Sequence, residues 1–84
     1  MLDTTYQALR KWIIDTFEPD EKHVYDLGTG AIKHEFEGTG FHTNHLYRKD
    51  VELTLHYLGF KVARVGADGQ VYFHMRERRK REPA

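Results

Sequence analysis

Six histidines and a closing run of basic side chains carry most of the chemical potential of this sequence. His42 and His45 stand three apart and His34 precedes them, a spacing that raises the question of zinc. A zinc ion needs three or four ligands held by an outer shell of hydrogen bonds, and thiolate is its favoured structural donor. The chain has no cysteine, so the histidines at 42 and 45 read as helix-start or solvated residues. His56 and His74 read as surface or strand-face residues. Catalysis finds equally little to work with. Glu35 and Glu37 are two apart on a short helical stretch and point in different directions. No Ser-His-Asp or Cys-His set can be assembled, and a domain this small is not expected to enclose a deep pocket. The glycines at 28, 30 and 38 lack both the preceding strand and the Lys-Ser/Thr ending of a phosphate loop. The expectation is a non-enzyme without metal or cofactor.

The basic run is more informative. Formal net charge is zero, but residues 1–60 hold six Lys/Arg against ten Asp/Glu, a net of −4, while residues 61–84 hold seven against three, a net of +4. Charge separated in this way can mark a nucleic-acid contact at the basic end, and a solubilising tail is the plainer alternative. The side chains that would make such a contact are Lys61, Arg64, Gln70, Arg76, Arg78, Arg79, Lys80 and Arg81. Upstream, Asn44, His45, Arg48 and Lys49 are the polar candidates on a helix. Asp50 and Glu52 beside them leave that helix nearly neutral, which suits a solvated face with local ion pairs as well as it suits a base-reading one.

These residues need elements to position them. Eighty-four residues make one small domain, and an aromatic share of 13% gives it large side chains to bury. "DTTYQALRKWIIDTFEP" has capping-box spacing at Thr4 and Gln7, with Tyr6, Leu9, Ile13 and Phe17 on one helical face; Pro19 closes it. Trp12 sits on the flank of that stripe, as a core edge. His23-Val24-Tyr25 suggests a brief strand. "TGAIKHEFEGTG" predicts a second helix with Thr29 as N-cap, Ile32 and Phe36 inward, and Gly38 or Gly40 as the stop. "FHTNHLYRKDVELTLHYLGF" predicts a third and longest helix, capped at Thr43 or Asn44 and ended by Gly59. Its apolar arc is broad, with Tyr47, Val51, Leu55 and Leu58 on one side and Leu46, Leu53 and Tyr57 on the other, so the far side invites a partner or a second copy. "FKVARVGADGQVYFHM" alternates around Gly66-Ala67-Asp68-Gly69 as a hairpin, with Val71, Phe73 and Met75 on one face. The domain is expected over residues 1–75, followed by a basic, disordered tail over 76–84.

Helix, short strand, short helix, longer helix, hairpin is an order that resembles a winged helix-turn-helix. The wording is similar to small winged-helix domains of phages and mobile elements in Lys33-His34, Phe36-Glu37, Thr39-Gly40, Thr43-Asn44 and Gly59-Phe60, over about residues 25–75. The interval from Thr43-Asn44 to Gly59-Phe60 is about one helical turn longer than that pattern. The resemblance implies an α+β fold, a three-helix core with a C-terminal β-hairpin wing. It also implies binding of double-stranded DNA, with the third helix in the major groove and the wing along the phosphates, as a transcription regulator or replication accessory. A protein-interaction module on the same fold is the alternative, such as an inhibitor or accessory of a nucleic-acid enzyme, and a homodimer suits either. The longest strictly apolar run is Trp12-Ile13-Ile14, and the opening residues show no signal-peptide pattern, so a cytoplasmic protein without a membrane span is expected.

Overall fold

The first helix, α1 (Asp3–Thr16), buries Leu9 and Ile13 completely along one face, with Thr5 beside them. The structure is a computed structural model and describes residues 3–40 and 46–78. The helical stripe was expected to run on to Phe17. Instead the helix stops at Thr16, and Phe17 opens a three-residue strand, β1 (Phe17–Pro19). Pro19 explains the stop, because its ring pushes Glu18 out of helical geometry. Phe17 remains fully buried, with its ring edge-on to Trp12 at 5.5 Å and to Tyr25 at 5.0 Å. Trp12 is half-buried against this core, as its flanking position implied.

Beyond β1 the chain keeps following the sheet. The Asp20 amide donates to the His74 carbonyl at 3.2 Å, and the Tyr25 amide to that of Phe73 at 3.0 Å. The brief strand expected at His23-Val24-Tyr25 is not formed, and this single bond to Phe73 stands in its place. Helix α2 (Thr29–Glu37) buries Ile32 and Phe36. Its N-cap is Gly28 rather than Thr29, whose hydroxyl accepts a bond from the Val71 amide at 3.3 Å. Thr29 therefore ties the start of α2 to the sheet. Gly40 takes the left-handed stop, with φ of 93°.

Helix α3 (Arg48–Tyr57) is about one turn shorter than expected. The predicted caps Thr43 and Asn44 lie outside the described residues, as do His42 and His45. Tyr47 is the N-cap, and the Asp50 carboxylate accepts its backbone N–H at 2.9 Å. Leu46 is buried just ahead of the helix. At the far end Gly59 adopts φ of 90°, and the Phe60 amide reaches back to the Leu55 carbonyl at 3.0 Å, which closes the last turn.

The sheet is antiparallel with strand order β1-β3-β2, where β2 is Lys61–Val65 and β3 is Val71–Glu77. A bulge between Val62 and Arg64 interrupts the β2–β3 ladder. The turn is closed by the Gly66 amide on the Gln70 carbonyl at 2.7 Å, with Gly69 at φ of 83°. Val71, Phe73 and Met75 point into the core, as the alternation implied. The expected boundary at Met75 is displaced. Arg76 and Glu77 belong to β3, paired with Glu18 and Phe17, and the Arg78 amide donates to the Thr16 carbonyl at 2.8 Å. The described residues form a small α+β domain of three helices and a three-stranded sheet around one core. Leu9, Ile13, Phe17, Ile32, Phe36, Val51, Leu55 and Phe73 are buried in it; Leu58, expected with them, is partly buried at its edge.

Candidate functional site

Most of the described candidate cations are paired with carboxylates of this chain. At the sheet's β1 end, Arg76 pairs with Glu18 at 2.7 Å and lies 3.7 Å from Asp20. Arg78 pairs with Glu18 at 3.5 Å and donates through Nε to the Ile14 carbonyl at 2.6 Å. On β2, Lys61 pairs with Glu21 at 2.8 Å. That bond and charge hold the Glu21 carboxyl below its usual range and the Lys61 amine above its own. On α3, Lys49 pairs with Glu52 at 3.0 Å. Four of the six described cations of the candidate set thus carry a carboxylate partner from this chain. Exposed pairs of this kind add little to stability, because water screens them. Their larger effect here is to cancel the local field that phosphate recognition needs.

Arg48 and Arg64 are the two exceptions. Arg64 lies over the Tyr72 ring with its guanidinium carbon 4.0 Å from the centroid, a cation–π contact on the outer face of the hairpin. Arg48 reaches from the first turn of α3 to the Asp68 carbonyl at 3.4 Å. Gln70 joins the same place. It bonds Asp68 through its backbone amide at 3.1 Å and its side-chain amide at 2.6 Å, and those bonds, with a smaller part from Arg48, hold the Asp68 carboxyl down. Gln70 also packs against Gly28. A Cβ on that glycine would fall 2.7 Å from the Gln70 side chain, so the close approach requires glycine. Arg48 and Gln70 therefore join the hairpin turn to the starts of α3 and α2. Asn44, His45, Arg79, Lys80 and Arg81 lie outside the described residues.

The outward face of α3 has a different character. Lys49, Glu52, Leu53, His56 and Tyr57 follow at three- and four-residue steps and share it. Its charges cancel in the Lys49–Glu52 pair, and Glu52 also lies 3.9 Å from His56. Leu53 is 41% exposed and Tyr57 is 77% exposed. The expected surface of Leu46, Leu53 and Tyr57 thus loses Leu46 to the core and keeps the other two. Sequence reasoning missed that Thr54 is buried; its hydroxyl bonds the Asp50 carbonyl one turn back at 2.7 Å, which satisfies it inside the core. Tyr47, Val62 and Val65 are exposed as well, so the run from the cap of α3 through β2 holds most of the large exposed apolar side chains among the described residues.

An open depression of about 490 Å³ lies elsewhere, lined by His23, Tyr25, Asp26, Leu27, Glu35 and Glu77. The Tyr25 hydroxyl donates to Glu77 at 2.9 Å, and burial together with that bond pushes its ionisation well above the ordinary tyrosine range. Three carboxylates make the hollow repel anions. Among the described residues no three histidine, aspartate or glutamate side chains are placed to hold a metal ion, and no helix is long and apolar enough to cross a membrane. Comparison of the chain with known protein families, curated proteins and solved structures gave no match.

Proposed function

We propose that this chain is a protein-interaction module on a winged helix-turn-helix arrangement. In this reading α2 and α3 are the helix-turn-helix and the β2–β3 hairpin is the wing. The partner is engaged through the outward face of α3. The observation that carries the reading is the make-up of that face: one cation cancelled by one anion, flanked by exposed Leu53 and Tyr57. A helix that reads a major groove presents uncompensated cationic or amide side chains to base edges and phosphates. A face centred on an exposed leucine and a tyrosine, with charge depleted at its middle, matches the core of a protein interface instead.

Duplex DNA remains the second reading, favoured by Arg48 at the start of α3 and by Arg64, which lies over Tyr72 on the hairpin. Titration of a fluorescent random-sequence duplex at two salt concentrations separates the two. No binding at low micromolar protein in moderate salt is expected. Saturable binding whose logarithm falls linearly with that of salt, by roughly one unit of slope per phosphate contact, would overturn the interaction reading.

A further inference from the structure

The turn of the β2–β3 hairpin contains Asp68-Gly69, the one place in the sequence where glycine follows an aspartate or asparagine. The other aspartates precede threonine, glutamate, leucine or valine, whose Cβ hinders the approach of the next backbone nitrogen to the side-chain carboxyl. Glycine has no such atom. The Gly69 nitrogen can therefore close on Asp68 Cγ. One N–C bond forms, one carboxyl C–O bond breaks, and the oxygen leaves as water with the amide and carboxyl protons. Water then opens the resulting succinimide at either carbonyl. One opening restores aspartate. The other gives isoaspartate, in which the main chain runs through the aspartate Cβ and is one carbon longer. Water is the sole co-reactant, and no redox change occurs.

We infer that Asp68-Gly69 is a site of spontaneous isoaspartate formation that the folded hairpin guards, with Gln70 as the guarding residue. Both reacting groups are engaged elsewhere. The Gly69 amide donates to the Gly66 carbonyl at 3.0 Å. The Asp68 carboxylate accepts from the Gln70 side-chain amide at 2.6 Å and from its backbone amide at 3.1 Å. Those bonds favour the ionised carboxylate, whereas ring closure needs the neutral acid, which can release water. Gln70 is itself fixed from outside the turn, since its side chain lies against Gly28 and Gly30 at the start of α2. Arg48 adds a second tie, to the Asp68 carbonyl at 3.4 Å. The guard thus lasts as long as the hairpin stays docked on the helices. The modification would undo that docking. The Asp68 main-chain carbonyl becomes part of a free carboxylate, and the lengthened turn no longer fits the register that its closing bonds define.

The full chain is aged at neutral pH in warm buffer below its melting temperature, and in parallel in guanidinium chloride sufficient to unfold it. Isoaspartate at residue 68 is read by peptide mapping with electron-transfer fragmentation. The folded chain should accumulate it about tenfold more slowly than the unfolded chain, or slower still, because opening of the docked turn is rare. Gln70→Ala should speed the folded chain by about two- to tenfold, the population change that loss of one hydrogen bond brings. It should leave the unfolded rate unchanged. Arg48→Ala should speed the folded chain less, and Asp68→Glu should give no product, because its ring would need a sixth member. Melting curves confirm that each variant is folded, and hydrogen exchange at the Gly69 amide separates opening of the turn from global unfolding. Equal rates in the folded and unfolded parent overturn the inference. So does a folded rate that neither Gln70→Ala nor Arg48→Ala changes, or isoaspartate that appears first at another aspartate.

Discussion

The two sides of α3 are made from the same ten residues and serve opposite purposes. Val51, Thr54 and Leu55 face inward and are closed off from solvent, while Lys49, Leu53 and Tyr57 face outward. Apolar character does not separate them, since Leu53 and Leu55 are the same residue type two positions apart. What separates them is which neighbours arrive. The inward side packs against α2 and α1, in the core that also holds the fully buried Leu9, Ile13, Ile32 and Phe73. Toward the outward side the sheet contributes one ring contact, His56 edge-on to Phe73 at 5.4 Å. With no such neighbours, Leu53 stays 41% exposed while Leu55 is closed off.

The sharpest way to break this comparison is to shorten the two leucines. Leu55→Ala should cost roughly 2–5 kcal/mol, from lost transfer energy and the cavity left behind. Leu53→Ala should change the monomer's stability by about 0.5 kcal/mol or less. Urea unfolding of both variants at dilute protein checks this. Equal losses would show that the outward face is packed as tightly as the inward one.

Tyr25 supplies an intermediate case, a buried ring whose hydroxyl ends at a rim carboxylate. Its ionisation is raised by burial first and by the Glu77 bond second, so the folded chain keeps the proton after the unfolded chain has lost it. Stability from this group is complete below the ordinary tyrosine value of about 10 and declines as pH climbs beyond it. The decline approaches about 1.4 kcal/mol per pH unit while the folded phenol stays protonated. Tyr25→Phe should flatten that alkaline loss relative to the parent, and cost about 0.5–1.5 kcal/mol at neutral pH for the missing hydrogen bond. Denaturation midpoints of both proteins across pH 8 to about 11 measure the difference. An identical alkaline slope in the two would mean that the ring is open to water.

Much of the inward side was legible in the sequence and much of the remainder was not, for physical reasons. Period alone placed Leu9, Ile13, Ile32, Phe36, Val51, Leu55 and Phe73, because the core simply collects the residues a helix or strand brings to one face. Phe17 was placed in the core but in the wrong element. It fits both the helical stripe and the strand, and the choice is made by pairing with Glu77, sixty residues away. The start of α3 depends on Asp50 accepting from Tyr47 and on Leu46 docking inward; the polar residues before it offered equally good local caps. Arg76 and Arg78 read as tail because local composition showed no apolar anchor. Their anchors are Glu18, Asp20 and two carbonyls of α1, which no local window contains. The candidate site suffered most, since cancellation of Lys61 by Glu21 or of Arg76 by Glu18 is a tertiary fact.

The smallest expected effect lies on the outward face and is the strictest check of its character. Lys49 and Glu52 are three residues apart, with the lysine side chain 70% exposed and the glutamate 19% exposed. An exposed pair at this spacing contributes about 0.2–0.5 kcal/mol, because water screens the charges and holding both side chains costs entropy. Lys49→Ala should therefore lower the stability of dilute monomer by no more than that. A double-mutant cycle with Glu52→Ala should return a coupling of the same size, reduced in high salt. A coupling well above about 1 kcal/mol would place the pair in a desolvated setting, as if the face were already covered within one chain. A small coupling, reduced by salt, is the signature of a pair on a solvated helix face, where the geometry puts it.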